Sequence, residues 1–172
     1  SLFLNENGPH AKTFCVSVRD DPNSWFSLEN ERIISLEELD LIIMRQDPPF
    51  NSNYIYNTYV LDSAESRGVK VVNKPGSLRD CNEKVFATEF PQCCTPYLVS
   101  SEQDQLRDFI EIHEDTVIKP LDGMGGSSIF RLKKNDSNIG VILETITNQF
   151  VTKVMIQRYI KEIKDGDKRI LL

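Results

Sequence analysis

The hydrophobic pattern of the first half of the chain predicts alternating strands and helices. Lys12–Val18 alternates apolar and polar residues, which is typical of a strand, and Leu39–Met44 is a continuous apolar run, typical of a strand buried on both faces. Residues 54–66 have a helical apolar spacing, and residues 69–72 form the next short strand. The order strand, helix, strand over residues 36–73 predicts a βαβ unit with a parallel sheet and a right-handed crossover.

The second half has a different pattern. It predicts a helix over Ser77–Phe90, a strand over Tyr97–Val99 and a helix capped by Ser101. A hairpin follows, with strands at 116–119 and 128–132. The chain then continues with a helix at 139–147, a strand at 154–160 and a last strand after Asp167. The pattern changes near Asn73–Ser77. We therefore predict an α/β domain over residues 1–76 and a second, α+β domain over residues 77–172.

Composition narrows the possible functions. The chain has 172 residues, of which 40% are hydrophobic and 27% charged, as is ordinary for a soluble globular protein. A net charge of −6 argues against a broad nucleic-acid-binding surface. No apolar run approaches the roughly 18 residues of a membrane span, and no signal peptide is visible. The four cysteines show no zinc-ligand spacing, so we expect no metal site in the chain and a location in the reducing cytoplasm.

A glycine-rich segment carries the clearest chemical signal. Three glycines within Gly123–Gly126 follow a β-branched apolar stretch, and Lys119 stands at the mouth of this loop. The segment lacks the sixth-position glycine and the following helix of a dinucleotide-binding turn, and it is not a P-loop. The sequence leaves two interpretations: a hairpin that folds over phosphates as a lid, and an ordinary tight turn.

Four segments together resemble bacterial glutathione synthetases, which belong to the ATP-grasp superfamily. They are Met44–Phe50, Leu78–Lys84, Lys119–Gly126 and Lys164–Arg169, and the likeness runs in order from about Trp25 to Leu172. The resemblance implies a partial Rossmann-like parallel-sheet domain followed by the first part of an ATP-grasp domain. It also implies a reaction in which ATP phosphorylates the cysteinyl carboxylate of γ-glutamylcysteine, and the glycine amine then attacks the acyl phosphate.

The same resemblance assigns roles to individual residues. The residues implied to contact ATP phosphates, directly or as the lid, are Lys84, Lys119, Asp122, Gly123, Met124, Gly125, Gly126 and Ser127. Those implied to line the base pocket or neighbour the ATP site are Gln157, Arg158, Tyr159, Ile160 and Asp167. Arg169 matches a catalytic arginine that steadies the transferred phosphate, and Arg45 and Asp47 are candidates for holding the dipeptide.

The resemblance also implies what lies elsewhere. The Mg²⁺ ligands of the family are expected outside this chain, which reads as a fragment lacking both ends and inactive by itself, and we expect a homo-oligomer. Two alternatives stay open at this point. One is another ATP-grasp ligase, such as a D-alanine–D-alanine ligase, and the other is a non-catalytic nucleotide-binding module.

Overall fold

The computed structural model describes residues 1–47, 49–123, 125–168 and 170. The chain divides into two compact units, Ser1–Asp80 and Cys81–Leu172. The division falls just after the Asn73–Ser77 segment at which the sequence pattern changes.

The first unit combines an antiparallel and a parallel sheet. Its elements are β1 (Leu2–Asn5), β2 (Gly8–Val18), β3 (Phe26–Ser35), β4 (Leu41–Ile43), α1 (Ser52–Ser66), β5 (Lys70–Val72) and α2 (Pro75–Asp80). Strands β1, β2 and β3 form an antiparallel meander. Strands β4 and β5 pair in parallel, with Ile42 opposite Val71 and α1 between them in the chain. The predicted βαβ unit is therefore confirmed.

The first unit also corrects two expectations. The sequence predicts one strand over Lys12–Val18, whereas β2 begins at Gly8 and has two partner strands that the pattern did not predict. The prediction that Leu39–Met44 is buried on both faces is wrong for the described residues, because Leu41 and Ile43 are both exposed. In the part of the chain that the structure describes, their sheet has two strands, so few residues there can lie against them.

Small and branched side chains between α1 and the two sheets form the core of the first unit. Its buried members are Ala11, Leu36, Leu61, Ala64, Val69 and Val71. Asn51 begins α1 because its side-chain oxygen accepts a hydrogen bond from the Tyr54 N–H at 3.1 Å. The helix and both sheets are thus held by one cluster.

The second unit is built on one antiparallel sheet. Its elements are β6 (Tyr97–Ser100), α3 (Gln103–His113), β7 (Asp115–Pro120), β8 (Phe130–Lys133), α4 (Ile139–Ile146) and β9 (Val154–Arg158). The strand order is β6-β9-β7-β8, so β7 is paired on both sides. The predicted glycine-rich hairpin is confirmed as β7 and β8, with Ile118 opposite Phe130 at its closed end.

The apolar stripes of α3 and α4 complete the core of this unit. Its buried members are Leu106, Ile110, Ile118, Leu132, Ile139, Leu143, Val154 and Ile156. The two helices and the two central strands contribute to the same cluster, which fixes β7 and β9 in the sheet.

The predicted helix over Ser77–Phe90 is wrong. Helix α2 ends at Asp80, and the chain then forms short 3₁₀ turns at Phe86–Glu89 and Pro91–Cys93. The side chain of Asn82 accepts hydrogen bonds from the N–H groups of Lys84 and Val85, both at 3.0 Å. An asparagine that binds its own backbone in this way competes with helix formation.

The cap expected at Ser101 also shifts by one residue. Helix α3 begins at Gln103, and the hydroxyl of Ser100 accepts from the Glu102 N–H at 2.9 Å. The N-cap is therefore Glu102, whose side chain makes no capping hydrogen bond, and the Ser100 contact lies just before the helix.

The described helices are short. Helix α1 has 15 residues, whereas crossing a bilayer takes about 20 consecutive apolar residues. Within the described ranges, no helix combines the length and the apolar character that a membrane crossing needs.

Leu132 provides a test of the second core. Its side chain is 0% exposed in β8, so Leu132→Ala should lower the free energy of unfolding by about 2–5 kcal/mol through lost burial and a residual cavity. Ile112→Ala removes an apolar group of the same size from an exposed site and should change this free energy by less than about 0.5 kcal/mol. Urea unfolding followed by circular dichroism measures both, and equal effects would contradict the core assignment.

Candidate functional site

Two lysines meet beside the glycine-rich loop of the second unit. Lys119 is half-buried near the end of β7, opposite Met155 of β9. Burial lowers the pKa of its ammonium group, and the positive charge of Lys84 lowers this pKa further. Both effects disfavour the charged form of Lys119, so the site destabilises the positive charge of this side chain.

The ammonium group of Lys84 is held against the loop. Its side chain is only 12% exposed, and its Nζ donates to the carbonyl oxygen of Gly123 at 2.7 Å. The same Nζ lies 2.9 Å from the carboxylate of Glu83, which is largely exposed. Lys84 therefore contacts the first glycine of the loop while its charge acts on Lys119.

Asn82 explains how the sequence places Lys84. Its side-chain oxygen organises the backbone of the next residues, and its amide nitrogen donates to the carbonyl oxygen of Leu121 at 3.1 Å. One side chain thus attaches the Lys84 segment to the start of the glycine-rich loop. This residue was not predicted from the sequence, although asparagine side chains commonly bond to the backbone two residues further on.

Glycine is required by the backbone of the loop. Gly125 and Gly126 have φ values of 67° and 76°, a region that disfavours other residues. A Cβ on Gly123 would stand 2.7 Å from the Pro120 side chain, which is too close. Gly125, Gly126 and Ser127 are exposed, and Asp122 is exposed at the start of the loop. Met124, also predicted to belong to the lid, lies outside the described residues.

A pocket of about 350 Å³ opens at the end of β9. Its lining includes the segment Gln157–Ile160, together with Val117 and Ile163. The backbone of this segment is fixed, because the Tyr159 N–H donates to the Asp115 carbonyl oxygen at 2.9 Å. The four residues predicted to line a base pocket therefore do border one cavity, and its wall is mainly apolar.

An ion pair joins the hairpin to this pocket. Arg131 of β8 donates two hydrogen bonds to the carboxylate of Asp115, at 2.8 and 2.6 Å, and its guanidinium lies 3.6 Å from the centre of the Tyr159 ring. The Arg131 hydrogen bond holds the pKa of Asp115 below its ordinary value. The sequence analysis missed both residues. The hairpin register indicates this pair, because Arg131 lies opposite Val117 and is therefore a diagonal neighbour of Asp115.

The other predicted site residues are not brought into this cluster. Arg169 lies outside the described residues. Asp167 is exposed after the 3₁₀ turn Lys161–Asp165. Arg45 and Asp47 are exposed in the loop after β4 and belong to the first unit. Their roles stay predictions.

The donor set for a metal ion is limited. Among the residues that the structure describes, no three His, Cys, Asp or Glu side chains are grouped so that they could hold a metal ion. The carboxylates near the lysines, such as Glu83, do not form a matched cluster. The described residues therefore assign no chemical step to magnesium.

Two family models match consecutive parts of the chain. The prokaryotic glutathione synthetase N-terminal domain matches residues 1–79, and the ATP-grasp domain of prokaryotic glutathione synthetase matches residues 83–172. Together they cover nearly all of the chain. The second match contains both lysines, the glycine-rich loop and the pocket segment.

Curated proteins named glutathione synthetase are similar in sequence to this chain. The chain is 54% identical over 171 residues to a glutathione synthetase of Pseudomonas syringae pv. tomato, 55% over 157 residues to one of Pseudomonas aeruginosa, and 48% over 171 residues to one of Vibrio cholerae. These matches cover 99%, 91% and 99% of the chain, and 54%, 50% and 54% of the relatives. The chain thus spans about half the length of the relatives it matches.

Solved structures share the fold at low sequence identity. D-cycloserine synthetase DcsG matches with a TM-score of 0.58 and 15% identity, over 76% of this chain and 47% of that one. D-alanyl-alanine synthetase A from Vibrio cholerae matches with a TM-score of 0.56 and 12% identity, over 93% of this chain and 48% of that one. At these identities the likeness concerns the fold alone, which agrees with the predicted mixed α/β class.

The ion pair between Asp115 and Arg131 predicts a pH dependence. The folded pKa of Asp115 lies below its ordinary value of 3.8, so the pair stabilises the fold above about this pH and ceases to do so as the pH falls through the folded pKa. Wild type and Arg131→Ala should therefore differ in melting temperature at pH 7 and converge in acid. Carboxyl NMR titration should show the Asp115 pKa returning toward its ordinary value in Arg131→Ala.

Asp108→Asn provides the matched control for this titration. Asp108 is exposed on α3 and lies outside the pair, so its removal should leave the titration of Asp115 unchanged. An Asp115 pKa that does not respond to Arg131→Ala would contradict the assignment.

Proposed function

The chain belongs to the prokaryotic glutathione synthetase family, and from this membership we propose that the full-length protein joins γ-glutamylcysteine to glycine using ATP. The γ-phosphoryl group passes to the cysteinyl carboxylate, the glycine amine attacks the resulting acyl phosphate, and inorganic phosphate leaves. In such a reaction the protein mainly positions the reactants and stabilises negative charge. The chain's own part, on this proposal, is to hold the nucleotide.

The observation that carries this proposal is the pair of lysines. The positive charge of Lys84 repels that of half-buried Lys119, and Glu83 is the carboxylate that pairs with Lys84 among the described contacts. A polyphosphate would relieve this repulsion, because its charge is spread over several oxygens that two compact ammonium groups can share. We propose that both lysines bind the phosphates of ATP.

The loop provides a means of closing over those phosphates. Lys84 donates to the Gly123 carbonyl oxygen, and the next glycines are exposed with their backbone free of side-chain bulk. We propose that Lys84 exchanges this carbonyl for a phosphate oxygen, which releases the loop. Asp122, Gly123, Gly125, Gly126 and Ser127 then act as the lid, with Met124 between them.

The pocket at the end of β9 suits the nucleotide base. Its apolar wall and a volume of about 350 Å³ fit a planar aromatic ring. We propose that the Gln157–Ile160 segment holds adenine. The remaining assignments rest on the family resemblance: Arg169 steadies the transferred phosphate, Asp167 neighbours the ATP site, and Arg45 and Asp47 hold the dipeptide.

Other features of the proposal concern the whole protein. Magnesium, when bound, would neutralise charge between the β- and γ-phosphates, and we expect its ligands in other parts of the full-length protein. All four cysteines are free thiols, which suits the reducing cytoplasm where we expect the protein. A homo-oligomer also stays a prediction.

A phosphate-release assay tests the proposed activity. The full-length protein with ATP, Mg²⁺, γ-glutamylcysteine and glycine should release phosphate at about 1 s⁻¹ or faster. Replacing γ-glutamylcysteine and glycine by D-alanine should abolish phosphate release. Phosphate release with D-alanine alone would favour a D-alanine–D-alanine ligase. Nucleotide binding without any turnover would favour a non-catalytic module. The 172-residue chain alone is expected to be inactive.

Neutral replacements of the two lysines should separate binding from stability. Lys84→Met and Lys119→Met should each weaken ATP binding by about 1.5–3 kcal/mol, the range for hydrogen bonds to charged groups. Without nucleotide, Lys119→Met should raise the melting temperature by about 2 °C, because it removes a desolvated and repelled charge. Calorimetric titration and thermal unfolding measure the two effects.

The pH dependence of this stabilisation has a defined sign. The folded pKa of Lys119 lies below its ordinary value of 10.5, so wild-type stability rises with pH between the folded pKa and about 10.5. The advantage of Lys119→Met should shrink over that window. Lys153→Met, at an exposed lysine before β9, is the control and should change neither binding nor stability. Unchanged ATP affinity in both site variants would disprove the phosphate assignment.

Hydrogen exchange tests the lid. The amides of Gly125, Gly126 and Ser127 should exchange fast without nucleotide and slow by at least about tenfold when ATP binds, since closure would shield them. The amides of Met155 and Ile156, in the core of the sheet, should not change. Strong protection of the loop before ATP is added would favour an ordinary rigid turn.

A further inference from the structure

Tyr159 separates two cavities of the second unit. One is the apolar pocket of about 350 Å³ at the end of β9, and the other has a volume of about 610 Å³ and a mainly polar wall. Tyr159 lines both cavities, is half-buried and directly follows the last residue of β9. Because this residue lies beyond the end of the strand, the sheet alone does not fix its ring. The orientation of the ring therefore decides the shape of the apolar pocket on this side.

Asp115, the first residue of β7, holds this tyrosine in two ways. Its carbonyl oxygen accepts a hydrogen bond from the Tyr159 N–H at 2.9 Å, which fixes the backbone. Its carboxylate accepts two hydrogen bonds from the guanidinium of Arg131, at 2.8 and 2.6 Å, and this guanidinium lies over the Tyr159 ring, 3.6 Å from its centre. The backbone and the ring of Tyr159 are thus both held from one position on β7.

This arrangement needs the planar fork of an arginine. The Nε and Nη2 atoms of Arg131 bind the two carboxylate oxygens of Asp115 separately, so the guanidinium plane cannot turn without losing one of the two hydrogen bonds. A lysine ammonium is a point charge and cannot make the same two-pronged contact while it covers a ring. Arg131 therefore presents a fixed, positively charged surface to one face of the Tyr159 ring.

Arg131 reaches the apolar pocket only through this ring. Among the residues that the structure describes, the lining of the pocket contains Tyr159 and Val117 but not Arg131. Arg131 and Val117 are nevertheless opposite each other in the β7–β8 ladder, so they share one face of the sheet. Removing the guanidinium would leave the wall residues in place and free the Tyr159 ring to adopt other rotamers. A ligand would then have to order the ring when it binds.

We propose that Arg131 is a positioning residue for nucleotide binding, which holds the Tyr159 ring as a preformed wall of the base pocket. The inference rests on the proposed function, because that function places the base of ATP in this pocket. The phosphates would be bound by Lys84 and Lys119, and the charge of Arg131 is already paired with Asp115. Arg131 therefore strengthens the binding of the base and not that of the phosphate chain.

Ligands with and without a base test this role. In the full-length protein, Arg131→Met should weaken ATP binding about tenfold, a loss within the range of a partly desolvated cation–π contact, and leave the affinity for inorganic tripolyphosphate unchanged. The KM for ATP should rise by a similar factor while kcat changes by less than about twofold, because contacts to the base are the same in the ground state and the transition state. Arg131→Lys should not restore ATP affinity, since it lacks the fork. Calorimetric titration and steady-state kinetics measure these quantities.

Two further variants separate the ring contact from a general effect of charge. Lys133→Met removes a positive charge from the same strand and the same face of the sheet, and it should leave both affinities unchanged. Tyr159→Leu removes the ring itself. If Arg131 acts through the ring, the double variant Arg131→Met/Tyr159→Leu should bind ATP no more weakly than Tyr159→Leu alone.

The possible outcomes distinguish this inference from the proposed function. Equal ATP affinity in wild type and Arg131→Met would overturn the inference and leave the proposed function in place. A parallel loss of ATP and tripolyphosphate affinity would also overturn it, because Arg131 would then support the whole site. Additive losses in the double variant would show that the effect does not pass through Tyr159. Wild-type protein that binds tripolyphosphate as tightly as ATP would contradict the base pocket, and the inference with it.

Discussion

The proposed nucleotide site of the second unit depends on the position of one positive charge, at Lys119. This lysine stands on β7, which is hydrogen-bonded to β8 and β9, so its backbone cannot move away from the sheet without breaking two ladders. Burial and the charge of Lys84 both act against its ammonium group. Neighbouring residues maintain this unfavourable arrangement, because Ile118 and Ile156 lock the strands into the core. On the proposed function, a site that holds two cations together in this way is organised for an anion before the anion binds.

The surrounding contacts connect this charge to the rest of the site. Asn82 attaches the Lys84 segment to Leu121 at the beginning of the loop, while Arg131 and Asp115 join the hairpin to the Tyr159 ring at the pocket. The Asn82 attachment lies at the base of the loop, and Gly125 and Gly126 beyond it are exposed. The loop thus has a firm base and a free tip. This combination is what a phosphate lid requires, since the tip must move while the lysines stay in place.

The sequence predicted elements whose stabilising contacts are local or strongly periodic. The βαβ order around α1, the hairpin of β7 and β8 and the apolar stripe of α3 belong to this group. The failures have physical causes. A side chain that binds its own backbone, at Asn82, interrupted a stretch that otherwise looked helical. Strand β3 was not predicted because its charged centre and exposed apolar end do not produce the alternation expected of a half-buried strand.

The same distinction applies to the site. Lys84, Lys119 and the glycines were predicted as site residues from their resemblance to a family, and the pocket segment from its place in that pattern. Asp115 and Arg131 were missed because they are far apart in the chain and become neighbours only through the hairpin register, which no single-residue pattern contains. Interactions set by pairing between strands are the part of a site that a sequence specifies least directly.

The two units share a physical feature, although their chemistry differs. The first exposes an apolar face around Val16 and Leu28 that favours contact with another apolar surface over contact with water. The second holds the charges of Lys84 and Lys119 together, which favours contact with an anion. Neither arrangement improves the stability of the isolated fold. Other residues at these positions would remove the exposed apolar surface and the repulsion between the lysines. Features that disfavour the unbound state identify what a protein binds more reliably than its stable core does, because the core serves folding alone.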